Sequence, residues 1–383
     1  MSKPSAAGAP VVPREDDEDA IAAELARQKL WIAGVESRAA RFRILSTLPY
    51  PKSPVWNRVV TTLGARRNWL TPLTRKVGIP DISVILRLLA RAHRYQLVLI
   101  AGGERADLVY AALAGLCPWI KAPHVIVDAH WQKSAGAAGW LQRQLLRLAN
   151  RVLAQVQVHS PEEIAIYHAE FGIPEEKLCA IPWSTALGGY DLPDSTLGDY
   201  VLTGGHSFRD YTAFLRAVGE LGVPTRIGIP AGRVDSRLRE LVAPFPNVTL
   251  HTDWSNDTYY RQMCGCRVYA MPIQQGLTRS TGDRTILHAM HQGKLVVSTD
   301  SIAPRIYLRH RTNGFIVREP TVECWKQTLR EALALDPESY RRIGARAAYD
   351  AKVRFNEAMR LARTLDCVVA LLDRNHRVSW ALT

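Results

Sequence analysis

No stretch of this 383-residue chain approaches the roughly 18 consecutive apolar residues a membrane-spanning helix requires. Residues 1–13 lack both an apolar core and an adjacent basic region, so no secretory signal is expected there. The six cysteines are irregularly spaced, and the one close pair, Cys264-Gly-Cys266, is too tight for a redox or zinc motif. Clustered Asp and His ligands are also missing, so no metal is expected. A cytoplasmic protein with reduced thiols, soluble or peripheral on the cytoplasmic membrane face, is the expectation.

What is present is ordinary in amount and uneven in charge. Apolar residues make up 47% and charged residues 22%, so a folded globular chain is expected, and its length suggests two domains. The net charge of +13 attracts polyanions. No nucleic-acid-binding motif accompanies it, so nucleic acid is not expected as a partner. An anionic membrane surface is the candidate second partner. Arg143, Arg147 and Arg151 recur every fourth residue and form one stripe of a helix expected from Gly139 to about Val152. A packed face and a solvated face would produce the same pattern.

Along the chain, residues 1–38 read as a solvated tail, with the acidic run Glu15–Asp19 ahead of a helical stretch from Ala20 to Leu30. Residues 39–182 alternate apolar strand-like runs with helical periodicity: Phe42–Leu48, Tyr95–Ile100, Val125–Asp128 and Leu153–His159 are the strands. Ser160-Pro161-Glu162-Glu163 is a helix start with cap, proline and acids in order. A basic stretch with aromatics, from Trp56 through Arg66, Arg67, Trp69 and Arg75 to Lys76, lies between the first two strands. Residues 183–199, rich in Gly, Pro, Ser and Asp, read as a linker. Residues 200–372 repeat the alternation and end in helices, and 373–383 read as a second tail. The expected fold class is therefore α/β, with two facing, Rossmann-like doubly wound domains and a ligand cleft at the carboxyl ends of their strands.

Chemistry is expected at three places. Gly204 and Gly205 follow the first strand of the second half and allow close backbone approach, with Arg209 as a fork for phosphate. Ser280, Thr281 and Gly282 open a helix whose free N–H groups suit an anion, with Arg284 in its first turn; Ser280-x-x-Asp283 also has the form of a capping box. His130 follows a strand's carboxyl end, where a cleft residue belongs.

Over residues 200–370, and more weakly over 95–182, these features resemble the retaining glycosyltransferases of the family 4 type, which have the B-fold. The resemblance rests on Gly204-Gly205…Arg209-Asp210-Tyr211, Ala289-Met290…Gly293-Lys294-Leu295-Val296-Val297, Asn313–Val317, His159–Glu163 and Phe171–Pro174. It implies transfer of a sugar from a nucleoside diphosphate sugar, with no separate cofactor, to an acceptor such as a lipid-linked sugar or polysaccharide. It also implies a donor-contacting role for His130. That family usually carries two glutamates eight positions apart; Ser280 and His288 stand at the matching places, where hydroxyl and imidazole can still meet sugar hydroxyls. A sugar-nucleotide epimerase and a non-catalytic nucleotide-sugar-binding subunit are the alternatives.

Overall fold

The computed structural model describes residues 18–50, 53–63, 82–102, 105–187 and 190–380. The basic positions Arg66, Arg67, Arg75 and Lys76, with Trp69, fall outside them. Two parallel six-stranded sheets organise the chain.

The first sheet contains β1 (Ile44–Ser46), β2 (Val60–Thr62), β3 (Leu97–Ala101), β4 (His124–Val127), β5 (Leu153–Val158) and β6 (Leu178–Ala180), in the order β2-β1-β3-β4-β5-β6. Its central strands are apolar on both faces because helices cover both faces. Helices α1 (Glu18–Ala39) and α2 (Pro54–Val59) come before β3. One face carries α3 (Ile82–Arg91), α4 (Arg105–Ala114) and α5 (Gly136–Ala149), with Leu88, Tyr110 and Leu146 buried against Val98 and Ile126. The helix α6 (Pro161–Phe171) starts as its sequence directs: the Ser160 hydroxyl accepts the Glu162 N–H at 3.1 Å, and Gly172 closes the far end at φ +67°.

The second sheet contains β7 (Val201–Gly204), β8 (Thr225–Gly228), β9 (Val248–His251), β10 (Val268–Met271), β11 (Leu295–Thr299) and β12 (Phe315–Val317), in the order β12-β11-β10-β7-β8-β9. Its helices include α7 (Tyr211–Leu221), α8 (Ser236–Val242), α9 (Asn256–Gly265), α10 (Asp283–His291), α11 (Ile302–Tyr307), α12 (Val322–Leu333) and α13 (Pro337–Tyr349). The described parts of 183–199 contain no helix or strand, in keeping with a linker.

Two sequence expectations require correction. The segment read as an N-terminal tail includes a helix, Glu18–Ala39, whose Val35 and Ala39 are fully buried. The last helix, α14 (Glu357–Trp380), runs through most of the segment read as a second tail, 373–383, and does not extend the second domain. Its Leu361, Leu365, Val368 and Leu372 pack with Val35, Ile44, Trp56, Leu97 and Val125 on the free face of the first sheet. An Arg38–Asp366 ion pair at 2.7 Å joins the two terminal helices. Burial of these apolar stripes explains the return: the first sheet needs a second covering layer, and the chain supplies it from its two ends. The polypeptide therefore crosses between domains twice, at the linker and again near Phe355, whose carbonyl accepts the Thr185 N–H at 2.9 Å.

Candidate functional site

The carboxyl ends of the two sheets face one another across a cleft with a cavity of about 340 Å³. Its lining joins His130, His159 and Trp183 to Gly205, Arg209, Arg279, Ser280, Thr281, Gly282, Asp283 and Arg284. A second cavity of about 320 Å³, lined by Arg233, Asp235 and Arg237, shares His206 and Arg209 with the first.

Arg209 is fixed by backbone. The loop after β7 folds onto the chain leaving β10, where Arg209 bridges Ile273, the Gln274 N–H donates to Phe208 O at 3.0 Å and the Asp210 N–H donates to Pro272 O at 2.8 Å. Gly205 sits at φ +87°, and a Cβ there would lie 3.2 Å from Arg209 Nη2. Gly282, at φ +84°, has the same guanidinium nitrogen 3.2 Å from its Cβ position and the Met271 methyl at 2.6 Å. Two glycine turns thus leave room for one guanidinium between them, beside the start of α10. The Arg209 Nε is buried and has no hydrogen-bond partner.

The start of α10 departs from a capping box. The helix begins at Asp283, and its cap is Gly282, which offers no side chain. The Ser280 hydroxyl donates to Asp283 Oδ1 at 2.6 Å, and the Tyr307 hydroxyl donates to the same oxygen at 2.9 Å. The first-turn N–H groups are left without a side-chain cap, at the positive end of the helix dipole.

The opposite wall is built from the ends of β4 and β5. His130 and His159 meet edge to face at 4.7 Å, and Trp183 lies 5.8 and 5.2 Å from their rings. Arg360, from α14, lies 4.0 Å over Trp183 and forms a buried ion pair with Asp128. Asp128 adopts φ +57°, a strained value for a non-glycine residue, which is held by that pair and by His159 Nε2 at 3.4 Å. Burial pushes the His130 pKa down to about 4, and the neighbouring His159 adds to the fall, so His130 is neutral at pH 7. Burial also opposes charge on His159, but the Asp128 carboxylate 3.4 Å from its Nε2 and the charges of Asp283 and Glu163 hold its pKa above the ordinary value.

Most of the expected residues meet here: His130, Gly205, Arg209, Ser280, Thr281, Gly282 and Arg284. Two do not. Gly204 is buried within β7, where a Cβ would strike the Tyr259 hydroxyl at 2.5 Å and the Gly228 carbonyl at 2.7 Å; its smallness serves packing. His288 is 2% exposed and turned toward the linker, where its Nε2 accepts the Ala186 N–H at 3.3 Å. Burial pushes its pKa down to about 3.

Sequence reasoning did not single out Arg279, Trp183, His159, Asp283, or the buried residues Glu163, Asp128 and Arg360. Glu163 could have been suspected, since Ser160-x-x-Glu163 has capping-box form; its Oε2 accepts the His159 N–H at 2.9 Å. Its other oxygen crosses the cleft to accept the Ser280 N–H at 2.7 Å.

No protein-family model matches this sequence, and no curated protein sequence matches it. Solved structures do resemble the fold. The Anabaena protein HepE in complex with UDP superposes with a TM-score of 0.63 at 17% identity, covering 86% of this chain and 98% of that one. A glycosyltransferase from Rickettsia africae gives 0.59 at 14% identity, covering 88% and 94%. Sucrose-phosphate synthase from Thermosynechococcus elongatus gives 0.55 at 15% identity, covering 87% and 83%. The chain has the glycosyltransferase B-fold.

Proposed function

We propose that the protein is a glycosyltransferase that moves a sugar from a nucleoside diphosphate sugar to an acceptor held in the same cleft. The observation that carries this reading is Arg209, set between two glycine turns beside the uncapped start of α10, with His130 of the other domain and Trp183 of the linker lining the same cleft. The diphosphate would lie between Arg209 and the N–H groups near Thr281 and Gly282. As the glycosidic bond breaks, charge builds on the departing diphosphate, and a fixed guanidinium and helix dipole stabilise it without reorganising. Neutral His130 would exchange hydrogen bonds with sugar hydroxyls. No metal enters this scheme, and retention of configuration is the expected stereochemistry. The Anabaena protein was solved with UDP-glucose, which makes uridine diphosphate sugars the first donors to test.

A lipid-linked acceptor and peripheral attachment to anionic membrane, as in cell-envelope polysaccharide assembly, extend the proposal. Their support is a set of exposed side chains on α5 and in the turn that follows α4. Leu116 (54%), Trp119 (63%), Trp140 (58%) and Leu141 (52%) are exposed, and Arg143, Arg147 and Arg151 are exposed on and just beyond α5. Large apolar side chains beside cations suit an anionic interface.

The test is a panel of nucleotide sugars with and without sugar and lipid-phosphate acceptors, scoring free nucleoside diphosphate and altered sugars. Acceptor-dependent release supports transfer. An altered nucleotide sugar without acceptor would indicate epimerisation. Binding without turnover would favour a binding subunit, the reading that Ser280 and His288 in place of carboxylates favours. Arg209→Ala should weaken nucleotide binding by about 1.5–3 kcal/mol; unchanged affinity in calorimetry would remove Arg209 from the site.

A further inference from the structure

The cleft holds more positive charge than a diphosphate uses. Arg209, Arg279 and Arg284 all line it, and among the described residues no carboxylate approaches any of them within 4.0 Å. Their partners are uncharged: Arg209 Nη1 donates to Ser207 O at 3.0 Å, Arg279 Nη1 donates to His130 O at 2.5 Å, and Arg284 lies 5.6 Å over Trp183. Arg279 also lies 5.0 Å over the Phe208 ring, and its Nε is buried without a partner. A buried guanidinium N–H without a partner is costly unless a ligand satisfies it.

These cations divide by position. Arg209 touches both glycine turns at the start of α10 and belongs to the diphosphate. Arg279 and Arg284 stand toward the other wall, one tied to the His130 backbone and one against Trp183. That is where the transferred sugar and the acceptor would meet. The carboxylate lining this region, Asp283, is held by the hydroxyls of Ser280 and Tyr307. Ser280 carries no charge, and His288 is turned away.

We infer that Arg279 and Arg284 form a second anion subsite, which takes a negatively charged group in addition to the donor's diphosphate. The inference rests on the transferase reading for its geometry. The anion has two chemical sources: a carboxylate on the donor sugar, as in a hexuronic acid, or a phosphate on the acceptor. Arg279 and Arg284 would then select for the anionic form of whichever ligand occupies their side of the cleft.

The experiment is calorimetric and has two arms. The nucleoside diphosphate that binds best among UDP, ADP and GDP is chosen first. The donor arm compares its glucose ester with its glucuronic acid ester. The acceptor arm compares decyl phosphate with decanol in the presence of saturating nucleotide. We expect at least about a tenfold preference for the anionic member in one arm. That preference should be lost in Arg279→Gln/Arg284→Gln and retained in part in Arg279→Lys/Arg284→Lys, which keeps the charge and guards against misfolding. Equal binding in both arms overturns the inference, as does a preference that survives the Gln variant. If no nucleotide binds at all, the functional reading fails. The subsite is still decided by comparing glucose 1-phosphate with glucuronic acid 1-phosphate, and decyl phosphate with decanol, on wild type and Gln variant.

Discussion

The Glu163 carboxylate holds the Ser280 backbone N–H at 2.7 Å from the opposite domain. One oxygen of the same carboxylate completes the start of α6, and the other reaches the loop that precedes α10. A buried acid thus couples the geometry of one domain's helix to the proposed phosphate loop of the other. Burial pushes the Glu163 pKa up, while His159 and the two backbone N–H groups favour the ionised form.

Glu163→Ala should strand both buried N–H groups. Each unsatisfied donor costs about 1–3 kcal/mol, so a clear fall in melting temperature is expected, together with weaker nucleotide binding. Glu163→Gln keeps one acceptor oxygen and should lie between. An alanine variant with wild-type melting and wild-type affinity would show that the contact couples nothing.

The Asp128–Arg360 pair fastens the last helix to the first domain beside the cleft. Removing one partner leaves a buried charge, so Asp128→Leu or Arg360→Met should each cost about 3–5 kcal/mol, and the double variant much less than the sum. Burial alone would raise the Asp128 pKa, but Arg360 and His159 hold it well below the usual carboxylate range. The stabilisation is therefore present above the unfolded pKa of about 4 and is lost as pH falls below it. Urea unfolding from pH 7 to pH 3 should show this loss in wild type and a flatter profile in the double variant.

His288 illustrates what sequence could and could not disclose. The βα alternation, the Ser160 helix start, the Gly-Gly turn after β7 and the helix start near Gly282 follow from local pattern and were legible. The direction of His288 was not: it follows Leu287 on a helix buried on several sides, and only tertiary packing decides that it faces the linker. The same holds for Glu163, Asp128, Arg279 and Arg360. Each acquires its meaning from a partner far away in sequence, and spacing carries no signal of such a meeting. The last helix looked like a continuation of the second domain because its periodicity shows an apolar stripe without showing which sheet it covers.

For His288→Ala the expectation is accordingly loss of stability with donor affinity unchanged. The substitution removes a buried ring packed edge-on against Tyr260 at 5.1 Å and takes away the acceptor of the Ala186 N–H. A cost of about 1–3 kcal/mol is expected from the lost packing and hydrogen bond together. With its folded pKa near 3, His288 stays neutral while the unfolded chain takes up a proton below pH 6.5. Stability should therefore decline as pH falls from about 6.5, and His288→Gln should decline less steeply. Weaker nucleotide binding at wild-type stability would return His288 to the cleft.

The exposed side chains on α5 and in the turn after α4 give the last prediction, and it separates lipid binding from a merely solvated helix face. Arginines alone would bind anionic vesicles weakly and lose them in salt, since screening at 0.15 M falls off over about 8 Å. Apolar side chains entering the interface add a salt-resistant part. If both act, wild type should sediment with vesicles of mixed zwitterionic and anionic phospholipid and only partly detach at high salt. Arg143→Gln/Arg147→Gln/Arg151→Gln should leave the salt-resistant part and lose the rest. Trp119→Ala/Trp140→Ala should do the reverse, binding at low salt and releasing fully as salt rises. The Trp and Arg side chains are exposed, so neither variant should alter melting by more than about 0.5 kcal/mol. Equal sedimentation of all three proteins would mean that this patch does not meet the membrane, and the acceptor would then have to reach the cleft from solution.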